Sequence, residues 1–98
     1  MHFVLIYEVG ADFFAQRTEF RGEHLAHAWK AADAGDLLLG GAFAEPTDQA
    51  QLLFRGASPD VAARFAEADP YVRNGLVKRW RVVQWNTVVG QGAANPIR

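Results

Sequence analysis

The chain has 98 residues, half of them hydrophobic, and a formal net charge of −1. That length supports one domain with a single core, and a charge so close to neutral excludes both a disordered polyelectrolyte and a broadly basic nucleic-acid surface. There is no cysteine, which removes disulfides, thiolate nucleophiles and zinc–thiolate sites, and the apolar runs are far too short to span a bilayer.

Met1-His2-Phe3 lacks the basic, hydrophobic and small-residue zones of a signal peptide, so a cytoplasmic protein is expected. Phe3 to Val9 is a β-rich run and reads as the first strand. Asp12 stands where it can cap a helix whose Ala and apolar positions continue to about Ala34, and Gly35 ends it. Leu37 to Phe43 reads as a second strand, with Gly40 and Gly41 marking a close approach of backbone or ligand. Glu45-Pro46-Thr47-Asp48 is turn chemistry, and Gln51 to Arg55 is a third, short strand. Ser58 and Pro59 are an N-cap and a first-turn proline, opening a helix with Val61, Ala62, Phe65 and Ala66 at helical spacing to about Ala68. Val77 to Trp85 reads as a fourth strand. Residues 1–88 then form the domain, and the Gly, Ala, Asn and Pro composition of 89–98 predicts a loose C-terminal tail.

This order predicts a ferredoxin-like α+β fold, βαββαβ, with a four-stranded antiparallel sheet and both helices on one face. The strands are apolar on both sides: Phe3, Leu5 and Tyr7 alternate with Val4 and Ile6, and Leu37 and Leu39 with Leu38. Two helices cover only one face. The other presents an apolar patch, and the expected partner is a second copy, giving a homodimer through the sheet face. Short strands that curl and shield themselves are the competing account.

Two small motifs carry titratable residues: Arg21-Gly22-Glu23-His24-Leu25 and Asp69-Pro70-Tyr71-Val72-Arg73-Asn74-Gly75-Leu76. In their Ala, Val and Leu-rich setting, a buried polar group must find a partner or change its protonation state. His24 and Asp69 are therefore a candidate acid/base pair. Arg17, Arg21, His24 and Ala28 fall at spacings of four, three and four, which makes one stripe along a helix and puts His24 at the edge between core and cleft. Simpler accounts compete: a half-buried histidine bonded to a backbone carbonyl, and an aspartate acting only as N-cap to a short turn with Pro70 at its first position and Gly75 ending it. His2 sits near the terminus, and His27 has no paired carboxylate motif. His24 and His27 with Glu23 lack the i, i+4 spacing and third ligand of a helical zinc site, so no metal or other cofactor is expected.

The motifs resemble those of the YciI-like (YCII-related) family across nearly the whole chain. The specific parts are Arg21-x-x-His24-Leu25, Gly35-Asp36-Leu37-Leu38 leading into Gly40-Gly41-Ala42, and above all Asp69-Pro70-Tyr71-Val72 with Gly75-Leu76. The resemblance implies a dimeric α+β barrel and an active site in which His24 meets Asp69. It departs where the family often carries a proline near the end of the last strand, here Gln84 before Trp85, and where the second strand often closes with Ala-Gly-Pro, here Gly41-Ala42-Phe43. Those positions bear on substrate identity.

A carboxylate beside an imidazole fixes the tautomer and leaves the second ring nitrogen free to move a proton. With no cysteine, clear serine nucleophile or metal cluster, the reaction classes that fit are elimination, isomerisation and tautomerisation of a small molecule. The family includes a dehydrochlorinase, so the resemblance implies elimination. Arg21 is a candidate for binding an anionic or enolate oxygen and Tyr71 for bonding the same ligand, against a solvated arginine and a packed ring. A non-catalytic small-ligand-binding dimer is the alternative. An RNA-binding sheet using Phe3, Tyr7 and Trp80 is a third reading, opposed by the acidic balance and the absent basic–aromatic consensus. Trp29, Phe43 and Trp85 read as core or interface before pocket.

Overall fold

The computed structural model describes residues 1–98. Strand β1 (His2–Val9) is followed by helix α1 (Phe13–Asp33), strands β2 (Leu37–Ala42) and β3 (Gln49–Arg55), helices α2 (Asp60–Ala68) and α3 (Pro70–Arg73), and strand β4 (Val77–Trp85). The strands form one antiparallel sheet in the order β2-β3-β1-β4. This is the ferredoxin-like arrangement that the order of elements predicts. No helix is long and apolar enough to cross a membrane.

Local chemistry sets the boundaries. Gly35 (φ +87°) and Gly75 (φ +78°) take the left-handed conformation that side chains disfavour. Each closes a helix with a paired 6→1 and 5→2 set of bonds: Asp36 N–H to Ala31 O with Gly35 N–H to Ala32 O, and Leu76 N–H to Tyr71 O with Gly75 N–H to Val72 O. The Ser58 hydroxyl accepts the Asp60 N–H at 3.2 Å at the start of α2. Asp12 does stand at the cap of α1, but its side chain bonds no helical N–H; its carbonyl receives Gln16 N–H instead.

Alternation along β1 sends Phe3, Leu5, Tyr7 and Val9 to the helix-covered face, where they meet Leu52, Phe54 and the α2 residues Ala62, Phe65 and Ala66. Phe3 and Tyr7 are only 2% exposed, so neither is available to stack on a nucleic-acid base. Across the other face one register level reads Leu39, Leu53, Val4, Val83, an apolar row through all four strands. The sequence suggested that Leu37 and Leu39 share a face. They do not: the register shifts between them, so Leu37 pairs with Phe54 on the core side and Leu39 with Leu53 on the outer side.

Helix α1 buries only Phe13 fully and leaves Phe14, Leu25 and Trp29 exposed. It is a small-residue and charged helix that closes poorly on the sheet, and a cavity opens between it and β2–β3. The segment after Gly90, expected to be loose, is tied back by Asn95 N–H to Thr87 O, Ile97 N–H to Val88 O and Ala94 N–H to the Thr87 hydroxyl. Thr87 Oγ also lies 2.6 Å from His2 Nδ1.

Candidate functional site

Asp69 sits at the corner between α2 and α3 and is completely buried. Pro70, the first residue of α3, starts the short helix, and Asp69 caps it: Oδ1 accepts the Tyr71 N–H at 3.0 Å. The capping account thus holds, and the capping carboxylate has further partners. Oδ1 also receives His24 Nδ1 at 2.8 Å, and Oδ2 accepts the Tyr7 hydroxyl at 2.7 Å. A carboxylate only accepts, so His24 carries its proton on Nδ1. Three donors on two oxygens leave this buried group satisfied, which is the condition for holding a charge away from water.

The other side of His24 is different. Its ring stacks on Tyr71 with centroids 3.9 Å apart and planes 8° from parallel. Nε2 has no protein partner, yet it is not sealed from solvent. The ring lines a cavity of about 440 Å³ bounded by α1, β2 and β3. Arg17, Arg21 and Tyr71 line the same space, and its other walls are mainly apolar, including Leu25, Trp29, Leu37 and Leu52. Gly40 faces Leu52, where an added Cβ would lie 3.4 Å from Leu52 Cγ, so the missing side chain keeps that wall open.

Electrostatics separate the two tyrosines. Burial, then the Asp69 charge and hydrogen bond, push the Tyr7 phenol far above its ordinary 10.0 and keep it a donor. The Tyr71 phenol is also raised by burial, but the Arg21 and Arg17 guanidiniums pull against that rise while Asp69 adds to it. Its hydroxyl has no protein partner and is open to the cavity.

All four residues singled out in the sequence, His24, Asp69, Arg21 and Tyr71, come together here. Tyr7 was missed. Its position on the core face of β1 was legible, and a buried phenol needs a partner, but the partner lies 62 residues away. Arg17 was placed on the right stripe without a role. The remaining histidines are engaged elsewhere: His27 Nε2 bonds Phe65 O at 3.0 Å and its ring stacks on Phe65, and His2 meets Thr87. No group of three or more His, Cys, Asp or Glu side chains is placed to hold a metal ion.

The YCII-related domain family matches residues 1–86. The chain belongs to that family. Among solved structures, this YCII-related chain is similar to TftG from Burkholderia phenoliruptrix AC1100, a 5-chloro-2-hydroxyhydroquinone dehydrochlorinase in complex with 2,5-dihydroxybenzoquinone. The TM-score is 0.75 at 20% identity, over 89% of this chain and 95% of that one. It is also similar to Atu4242 from Agrobacterium tumefaciens, with TM-score 0.58 at 11% identity over 95% and 96% of the two chains. A NIPSNAP family protein, ATU5224 from A. tumefaciens strain C58, gives TM-score 0.50 at 19% identity over 85% and 90%. No curated protein matches the sequence. At these identities the structural likeness speaks for the fold.

Proposed function

We propose that this YCII-related protein is a small-molecule enzyme in which His24, oriented by Asp69, moves a proton in an elimination or isomerisation. The observation that carries the proposal is the asymmetry of the imidazole. Nδ1 is fixed on a buried carboxylate and Nε2 opens on an apolar cavity. Nε2 takes a proton from an O–H or C–H of the ligand, and Asp69 balances the imidazolium that forms. The electron pair left behind moves onto a substrate oxygen held by Arg21 and the Tyr71 hydroxyl. Its return either expels a leaving group, for net loss of HX without change of oxidation level, or places the proton on another carbon. The similarity to TftG, a dehydrochlorinase, makes elimination the first class to test.

The apolar row on the outer sheet face supports a homodimer, because a second copy presents the same row and two such rows cover each other. A non-catalytic ligand-binding dimer is the alternative function.

The deciding experiment incubates the protein with 5-chloro-2-hydroxyhydroquinone and other halogenated hydroquinones and measures halide release. His24→Gln is expected to lower turnover by about 10²–10⁴-fold with the unfolding temperature preserved. Ligands that bind the wild type and are returned unchanged would replace the enzyme reading with the binding module.

A further inference from the structure

We propose that Arg17, together with Arg21, forms an oxyanion clamp that selects small anions, above all a single ring carrying a phenolate or carboxylate oxygen. This deepens the enzyme proposal and rests on the same cavity, but it concerns which ligands enter rather than whether they react.

Arg17, Arg21 and His24 stand at positions i, i+4 and i+7 of α1, and all three line the cavity. Neither arginine has an acidic partner: the ion pairs of the molecule are His24–Asp69 and Arg79–Glu8. Asp69 cannot serve them, since it is sealed and already accepts three donors. Two arginines therefore line the cavity with no carboxylate paired to either.

Arg17 is also held in place. Its guanidinium lies 4.8 Å from the Phe14 ring centroid and 5.9 Å from that of Phe13, a cation–π seat that reduces the side-chain freedom a ligand would otherwise have to freeze. The unpartnered Tyr71 hydroxyl adds a third donor to the lining. Apart from the tyrosine hydroxyls, the only side-chain acceptor in the lining is Nε2 of His24, the position assigned to the proton. Beyond it the walls are Leu25, Ala28, Trp29, Leu37 and Leu52, which offer area but no acceptor. A neutral polar ligand would leave the guanidiniums facing no charge, whereas an oxyanion is met by fork-shaped, charge-assisted hydrogen bonds. The volume, about 440 Å³, suits a single substituted ring.

The test is binding, not turnover. Benzoate, its neutral isostere benzamide, and 2,5-dihydroxybenzoquinone are titrated calorimetrically into the wild type and variants. Benzoate or the quinone anion is expected to bind at least about tenfold tighter than benzamide, one energetic step of a charge-assisted contact. Which of the two binds tighter identifies the oxyanion as carboxylate or phenolate. Arg17→Gln and Arg21→Gln should each weaken the anion about tenfold and leave benzamide unchanged, with Arg17→Lys recovering part of the loss. His24→Gln should keep the preference. A protein that retains it but converts no substrate loses the enzyme proposal and keeps the clamp. Equal affinity for benzoate, the quinone and benzamide, no binding of either anion, or an Arg17→Gln variant with wild-type anion affinity would each overturn the clamp.

Discussion

The imidazole of His24 lies flat on the phenol ring of Tyr71, centroids 3.9 Å apart, while Asp69 holds its Nδ1 from the edge at 2.8 Å. Stacking fixes the ring plane and the hydrogen bond fixes rotation within it, so one tautomer is selected. Nitrogen chemical shifts of neutral His24 should report protonation at Nδ1. In Asp69→Asn the side-chain amide can either donate or accept, and the selection should relax to a mixture. The same substitution replaces an acceptor of three donors with a group that supplies one carbonyl, and a loss of about 2–3 kcal/mol of stability is expected by denaturant unfolding. An unchanged nitrogen spectrum would show that the stack, not the carboxylate, sets the tautomer.

Tyr7 makes stability depend on alkaline pH. Its folded-state pKa lies above the ordinary 10.0, so the folded protein retains the phenolic proton where the unfolded chain has lost it. The sign follows: the contribution is fully present below pH 10 and declines as pH rises above it. Tyr71 is raised in the same direction. Tyr7→Phe should flatten this alkaline decline and, at neutral pH, cost about 1–3 kcal/mol, because Oδ2 of the fully buried Asp69 loses its partner. Urea unfolding at several pH values for both proteins measures the two effects together. A decline of equal slope in both would assign it to another group.

These two tyrosines show where the sequence was informative. Punctuation residues, Gly35, Gly75 and Pro59, act through local backbone rules, and so the elements could be placed to within a residue or two. The stripe Arg17, Arg21, His24 and Ala28 needs only helical geometry, and all four residues do line the cavity. Contacts between distant segments were not legible. The Tyr7–Asp69 bond depends on how the α2–α3 corner settles on β1, and the His2–Thr87 bond joins the ends of β1 and β4 across 85 residues. The bulge between Leu37 and Leu39 is likewise set by pairing with β3, and three consecutive leucines carry no signal of it.

Gly75 tests the local rules at the site itself. It terminates the short helix carrying Tyr71, and nothing lies within 4 Å of a Cβ built there, so a substitution meets strain but no clash. Gly75→Ala is expected to cost about 1–2 kcal/mol from the left-handed conformation alone. Gly56→Ala is the contrasting case: its Cβ would lie 2.9 Å from Val61 Cγ1, a stiff β-branched side chain. Comparable thermal shifts for the two would have different origins, which a larger residue separates. Gly75→Ser should match Gly75→Ala, whereas Gly56→Ser should be no better tolerated than Gly56→Ala and should also disturb α2.

The outer sheet face supplies the last prediction. Leu39, Leu53, Val4 and Val83 occupy one register level across the sheet, and the next level on the same face reads Gly41, Gln51, Ile6 and Arg81. An apolar row with polar side chains beside it is the pattern of an interface core with its rim. In a face-to-face homodimer each row meets its symmetry mate, so a charge placed in it is buried twice. Val83→Asp should therefore weaken dimerisation by at least about a hundredfold, the effect of burying a charge in an apolar interface. The isolated fold should survive, because Val83 is 38% exposed within the single chain. Sedimentation equilibrium of both proteins at micromolar concentration decides it. A wild type that sediments as a monomer would leave the row without its proposed partner, and a dimer indifferent to Val83→Asp would place the interface elsewhere.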